Sequence, residues 1–322
     1  MRIPWSEYGE NSDMPSNAAI AMISAACIAL CPGDAGAAAI AVADGVYAIL
    51  GSGGEIGTEN GGRTANVAFI VGSRGVAVID TGASYRQGEE ILSAIAEISD
   101  RPVVVAILTH PGQESIFGAA AFQGRGIPVL AHRRAAELMA ARCETCLQTL
   151  QSSLGRDFMA NTRVVKPDIL IDDSTTLELI GRPLRVIAPP WSSAPGAIAV
   201  FDESTSTLVA GSNVQIHRVP DLRDADSPSW RRALANIEAM RCRHLVPGYG
   251  PIGSCADAGA LDRYLAELET RVDTLMNEGV GLADLRKHSD LPAYVQWDQY
   301  EALHPQNANR TYLRIEQKEL TQ

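Results

Sequence analysis

The chain is short of the features that mark several specialised classes. It has no basic cluster: 27 Lys and Arg face 38 Asp and Glu, a formal charge of −11, which argues against nucleic acid or an anionic membrane surface as partner. Neither internal repeats nor low-complexity tracts occur, so solenoids and disordered arrays are set aside. Six cysteines in 322 residues do not make a disulfide scaffold. The apolar stretch from Ala18 to Leu30 is too short for a comfortable membrane span. What is plentiful is core-forming material: 46% of residues are hydrophobic, ample for a large α/β unit.

The Ala18–Leu30 stretch, followed by Cys31-Pro32-Gly33 and small residues, has the shape of a secretory leader. Cleavage after Ala37 or Ala39 suits the small-x-small rule. Residues 1–39 are therefore expected to be a signal peptide, with an uncleaved anchor or a buried helix as alternatives, and the protein periplasmic or secreted. Only Arg2 supplies positive charge upstream, among Glu7, Glu10 and Asp13, which leaves the start codon in question.

The chain is organised around Asn66 to Gly118. Two apolar strands joined by Gly72-Ser73-Arg74-Gly75 lead into Asp80-Thr81-Gly82, a helix spans Gln87 to Ile98, and VVVAIL ends at Thr109-His110 before a loop that opens another helix. Strand, polar tip and helix is where α/β proteins place chemistry. Further strands are expected at Ile127–His132, Ile169–Asp172, Thr176–Ile180, Leu184–Ala188, Ala197–Phe201 and Thr207–Ala210, with a long helix from Ala135 to Leu154. Amphipathic patterns at Leu261–Met276 and from Leu282 to His288 predict a C-terminal helical pair.

With the later segments LVAGSN and HLVPGYGPIGS, this pattern resembles the metallo-β-lactamase-fold superfamily of zinc hydrolases. The resemblance implies an αββα sandwich of two mixed sheets with outer helices over residues 46–260, and a helical extension over 261–322. It also implies where zinc ligands belong, and most are replaced. The positions of a His-x-His-x-Asp-His motif are held by His110, Gly112, Glu114 and Ser115. A further His is replaced by Ser193, the bridging Asp by Ser212 and the last His by Tyr249. A zinc site needs three or four converging N, O or S donors. Zinc is expected for the family and not for this sequence. The Pro220–Asp226 segment, GRPLRVIAPPW before it and HPQNANRTYLRIEQ after it are similar to the branch of quinoprotein relay system zinc metallohydrolases, which implies an exported partner of a quinoprotein dehydrogenase.

Several other motifs compete for attention. Gly-rich residues 51–62 follow a strand but miss the phosphate-binding spacing and are expected to border the groove. Asp80-Thr81-Gly82 is also the signature of an aspartic protease, which would need dimerisation to pair two aspartates; the alternative is a structural Asp80 that accepts backbone N–H groups beneath the pocket. His132 is expected to cap or pack. Cys143 and Cys146 share one helix face, either as a strained local disulfide or as two thiols. Cys242 and Cys255 are left unassigned.

Two functions follow. In the first, the chain is a non-catalytic binding protein that uses the pocket of Asp80, His110, Gly112, Glu114, Ser115, Ser193, Ser212 and Tyr249 for a small molecule, bordered by a long loop from Ser212 to Trp230. In the second, it is a hydrolase with a rearranged site in which His110 and Glu114 recruit His132 or His217 to hold a metal.

Overall fold

In the computed structural model, which describes residues 38–321, alternate residues of the apolar strands enter two different cores. The first sheet has the order β1 (Ala39–Ala43), β2 (Val46–Ile49), β3 (Val67–Val71), β4 (Val76–Ile79), β5 (Val103–Leu108), β6 (Val129–His132) and β7 (Ile169–Ile171). Its first four strands pair antiparallel and its last four parallel. The second sheet runs β12 (His244–Tyr249), β11 (Thr207–Gln215), β10 (Ala199–Asp202), β9 (Leu184–Ile187), β8 (Thr175–Leu177), with only β11 and β12 parallel. Both sheets are mixed, as expected.

Between the sheets, Ala68, Ile70, Ile79 and Ile107 of the first meet Val186, Val200, Val209 and Val246 of the second. The intervening residues Phe69, Val78, Ala106 and Leu108 turn the other way. They pack under α1 (Tyr85–Ile98), α3 (Ala119–Gly124) and α4 (Arg133–Leu154), with the short α2 (Gln113–Ile116) at the strand tips. The outer face of the second sheet is covered by α5 (Ser227–Ala239), α6 (Ala258–Asn277) and α7 (Tyr300–Leu320), through Trp230, Leu261, Tyr264, Leu265 and Tyr300. Four layers result, and burial on both faces is why the strands are continuously apolar. Among the described residues no helix is long and apolar enough to cross a membrane. The expected leader lies almost wholly outside the described residues.

Several local readings are corrected or completed. The strand expected to stop at Ala210 continues to Gln215, because Gly211 adopts φ 52° and bulges the β11–β12 pairing instead of ending it. With α5 beginning at Ser227, the loop is residues 216–226, shorter than the Ser212–Trp230 span. The segment from Leu282 to His288 forms only a single 3-10 turn, Leu285–Lys287. The long tail helix is α7, where Pro305 masks the pattern. Lastly, Cys242 and Cys255 form a disulfide, while Cys143 and Cys146 are free thiols.

Candidate active site pocket

The strand ends converge on one edge of the sandwich. Asp80 follows β4 at φ 62°, an uncommon conformation for a residue with a side chain. Its Oδ1 accepts from Thr109 N at 2.8 Å and its Oδ2 from Thr109 Oγ1 at 2.7 Å, which ties the end of β4 to the end of β5. Thr109 spends its one hydroxyl proton on Asp80, so its oxygen is left to accept from His110 Nδ1–H, 2.9 Å away. The imidazole is thereby oriented with Nε2 toward the cavity.

That Nε2 stands 3.5 Å from Glu114 Oε1, an ion-pair distance, and makes no well-formed hydrogen bond within the protein. Glu114 Oε1 accepts a short hydrogen bond from the Tyr249 hydroxyl. The Arg218 guanidinium lies 4.3 Å from the centroid of the Tyr249 ring. Arg218 also pairs with Asp298, whose Oδ2 accepts from Gly54 N at 3.0 Å. The glycine-rich loop is therefore fastened to the mouth by residues distant in sequence.

Charge follows from this chain. Burial pushes the Glu114 carboxyl up, yet the His110 imidazole at ion-pair distance, with the Tyr249 hydroxyl, outweighs it and holds it at about 2. Burial pulls His110 down, yet Glu114 and Asp80 leave it above the ordinary imidazole value. Asp80 is raised, chiefly by burial. Tyr249, buried beside Glu114, is pushed well above the ordinary phenol value. The result is a buried His110–Glu114 ion pair capped by a neutral phenol.

Opposite this pair, Ser193 Oγ and Ser212 Oγ are hydrogen-bonded at 2.7 Å. Asn213 holds their segments together: it accepts from Ser192 Oγ at 2.6 Å and donates to the carbonyls of Ile198 and Ala210. Asn66 does the same for the Val246–Pro251 turn, donating to the carbonyls of Pro247 and Gly250 at 2.9 Å. Sequence reasoning assigned neither asparagine a role: Asn66 stands just before β3 and Asn213 beside Ser212 in β11, with nothing local to mark the distant carbonyls that each one reaches.

The cavity measures about 440 Å³ and is lined by His110, Gly112, Glu114, Ser193, Ser212 and Tyr249, so six of the eight pocket residues come together. Asp80 lies beneath His110 without lining the cavity, and Ser115 is buried away from it. Gly112 is constrained by its neighbours, since a Cβ there would come within 2.4 Å of His110 Nε2 and 2.6 Å of Glu114 Oε1. The walls also include Gln215, Arg218, Arg223, Cys146 of α4 and Gln299, Leu303 and Gln306 near the start of α7. The contribution of α7 escaped the sequence, while Trp297 packs in the core on Tyr264 and Tyr294.

His132 caps α4, accepting from Arg134 N at 3.1 Å, and its Nε2 meets the Asp172 carbonyl. His217 faces Trp297. Neither lines the cavity, so the recruitment required by the rearranged hydrolase is not made. The buried Asp80, its carboxylate spent on Thr109, is likewise out of reach of a second copy, which removes the dimeric protease.

These features define the class. The metallo-beta-lactamase superfamily model matches residues 60–249, and the chain belongs to that family. Similar solved structures include a metallo-beta-lactamase from Pontibacter korlensis, at 21% identity and TM-score 0.58, covering 71% of this chain and 98% of that one. A double mutant of the sec-alkyl sulfatase PisA1 matches at 19% identity and TM-score 0.64, over 87% of this chain and 50% of that one. DIM-1 metallo-beta-lactamase exposed to ceftazidime matches at 15% and 0.56, over 71% and 95%. At these identities the likeness is one of fold. Comparison with curated protein sequences gave no match.

The side chains at the positions where the resemblance leads one to expect zinc ligands do not fit that metal. One imidazole and one carboxylate are present, the carboxylate oxygen is taken by Tyr249, and the two serine hydroxyls bond each other. Among the described residues no group of three or more His, Cys, Asp or Glu could hold an ion.

Proposed function

We propose that this chain is a non-catalytic, zinc-independent binding member of the superfamily that holds a small polar molecule over His110 and Glu114. The observation that carries the reading is the Tyr249–Glu114–His110 chain, which fills the zinc positions with an internally neutralised network in place of metal donors. Buried polar atoms are normally paired. His110 Nε2 and Gln215 Oε1, both about nine-tenths buried and in the cavity wall, have no hydrogen-bond partner in the protein. A ligand with hydroxyl or amine donors meets Gln215 and its acceptors meet His110.

The proposal includes export and work beside a quinoprotein dehydrogenase. Two features support it: the Cys242–Cys255 disulfide suits an oxidising compartment, and the 216–226 loop brings Arg218, Asp221, Arg223 and Asp224 to the cavity rim. The test is calorimetric titration with a quinone cofactor and its dehydrogenase, run beside turnover assays on β-lactam, thioester and lactone substrates. Saturable binding weakened at least about tenfold by Gln215→Ala supports the reading. Metal-dependent hydrolysis abolished by His110→Ala overturns it.

A further inference from the structure

We propose that Cys143 and Cys146 form a redox-active dithiol in the cavity wall that exchanges with disulfides of small thiols. The function above makes no use of this pair, and the exchange does not depend on what the cavity binds.

The two thiols are three residues apart on α4, on one face of the helix. They are not equivalent. Cys143 is buried, whereas Cys146 is half-buried and lines the cavity. The neighbouring Cys143 thiol is the largest influence on Cys146 and lowers it to about 7, while Cys143 itself is raised. Of the charged groups acting on Cys146, Arg223 favours the thiolate and Glu114 opposes it. The 216–226 loop that carries Arg223 is held against α4 by the Arg142–Asp224 ion pair. An accessible thiolate, a buried thiol on the same helix face and a nearby cation are the parts of an attacking and resolving pair.

The step balances as follows. The Cys146 thiolate attacks one sulfur of R–S–S–R, forming a mixed disulfide and releasing RS⁻. Cys143 gives its proton to that thiolate, and its sulfur attacks Cys146 Sγ, expelling the second RS⁻. The two protein sulfurs lose two electrons and the small disulfide gains them. Residues three apart on a helix have Cβ atoms about 5–6 Å apart, wider than the about 3.5–4.5 Å of a disulfide, so the oxidised form strains the helix and is readily reversed by thiols.

The probe is oxidised glutathione with the full chain, followed by peptide mapping that separates these cysteines from Cys27 and Cys31. The expected product is a Cys143–Cys146 bond reversed by reduced glutathione, and Cys143→Ser should trap the Cys146–glutathione mixed disulfide. An unmodified Cys146 in the wild-type chain, or no trapping in the folded variant, overturns the proposal. A wild-type measurement guards against a variant that does not fold. The rate of Cys146 alkylation by iodoacetamide should turn over near pH 7, with Arg223→Gln slowing it about threefold at that pH. Turnover at about 8.5, the value of an ordinary thiol, overturns the proposal as well.

Discussion

Tyr249 at the end of β12 and Glu114 of α2, 135 residues apart, share a short hydrogen bond in the cavity wall. The phenol stands where relatives are expected to carry a histidine, and it donates a proton to the carboxylate instead of a lone pair to a metal. Tyr249→Phe deletes that donor while keeping the ring under Arg218. The variant should lose about 1–2 kcal/mol of stability, and its acid unfolding midpoint should move to higher pH because Glu114 is easier to protonate. Equilibrium denaturation across a pH series measures both; an unchanged acid midpoint would show that the phenol does not hold the carboxylate.

The His110–Glu114 pair sets a pH window. Glu114 is depressed to about 2 from about 4.3 unfolded, so its stabilisation is complete above the unfolded value and is lost as pH falls toward the folded one. His110 is raised, so its share is complete below about 6.5 and is lost as pH climbs through the raised value. Both are present together between about pH 4.3 and 6.5. Glu114→Gln should cost about 2 kcal/mol there, and less on either side. A difference in Tm from wild type that does not vary with pH would contradict the pairing.

Gly112 leaves room for that pair. Gly112→Ala places a methyl against His110 Nε2 and Glu114 Oε1 and should destabilise by about 1–3 kcal/mol. Combined with Glu114→Gln, the two effects should fall short of additivity, since they act on one contact. A double-mutant cycle with fully additive costs would place the clash elsewhere.

Zinc content tests the donor set directly. Protein produced without added metal should retain far less than one equivalent after dialysis, measured by elemental mass spectrometry. The triple variant S193H, S212D, Y249H adds two imidazoles and a carboxylate to His110 in the same cavity and should approach one equivalent. Stoichiometric zinc in the wild type, or none in a folded triple variant, would refute the assignment of these positions.

The Cys242–Cys255 bridge joins residues 13 apart at the start of the helical layer. Replacing both by alanine should cost about 3 kcal/mol, a fall in Tm of about 5–10 °C. A reductant should lower the wild-type Tm and leave the variant unchanged. Equal sensitivity of both would mean that other cysteines carry the effect.

Local pattern alone determined a good part of this protein. Runs such as Val67–Val71 and Val103–Leu108 are apolar on both faces, and the tips Asp80, Thr109 and His110 follow where such runs must end; the order of these units implies the layered fold. The pairing of Ser193 with Ser212 and the meeting of Glu114 with Tyr249 were legible only as positions of a resemblance. Their contacts depend on loop paths that no window of sequence contains. Tertiary structure alone decided the rest. β11 runs on past Gly211 because β12 offers it backbone partners. Asp298 fastens the glycine-rich loop because α6 and α7 fold back over the second sheet. Cys242 reaches Cys255 because β12 turns toward α6. Each is a long-range contact whose free energy exists only once the layers have packed.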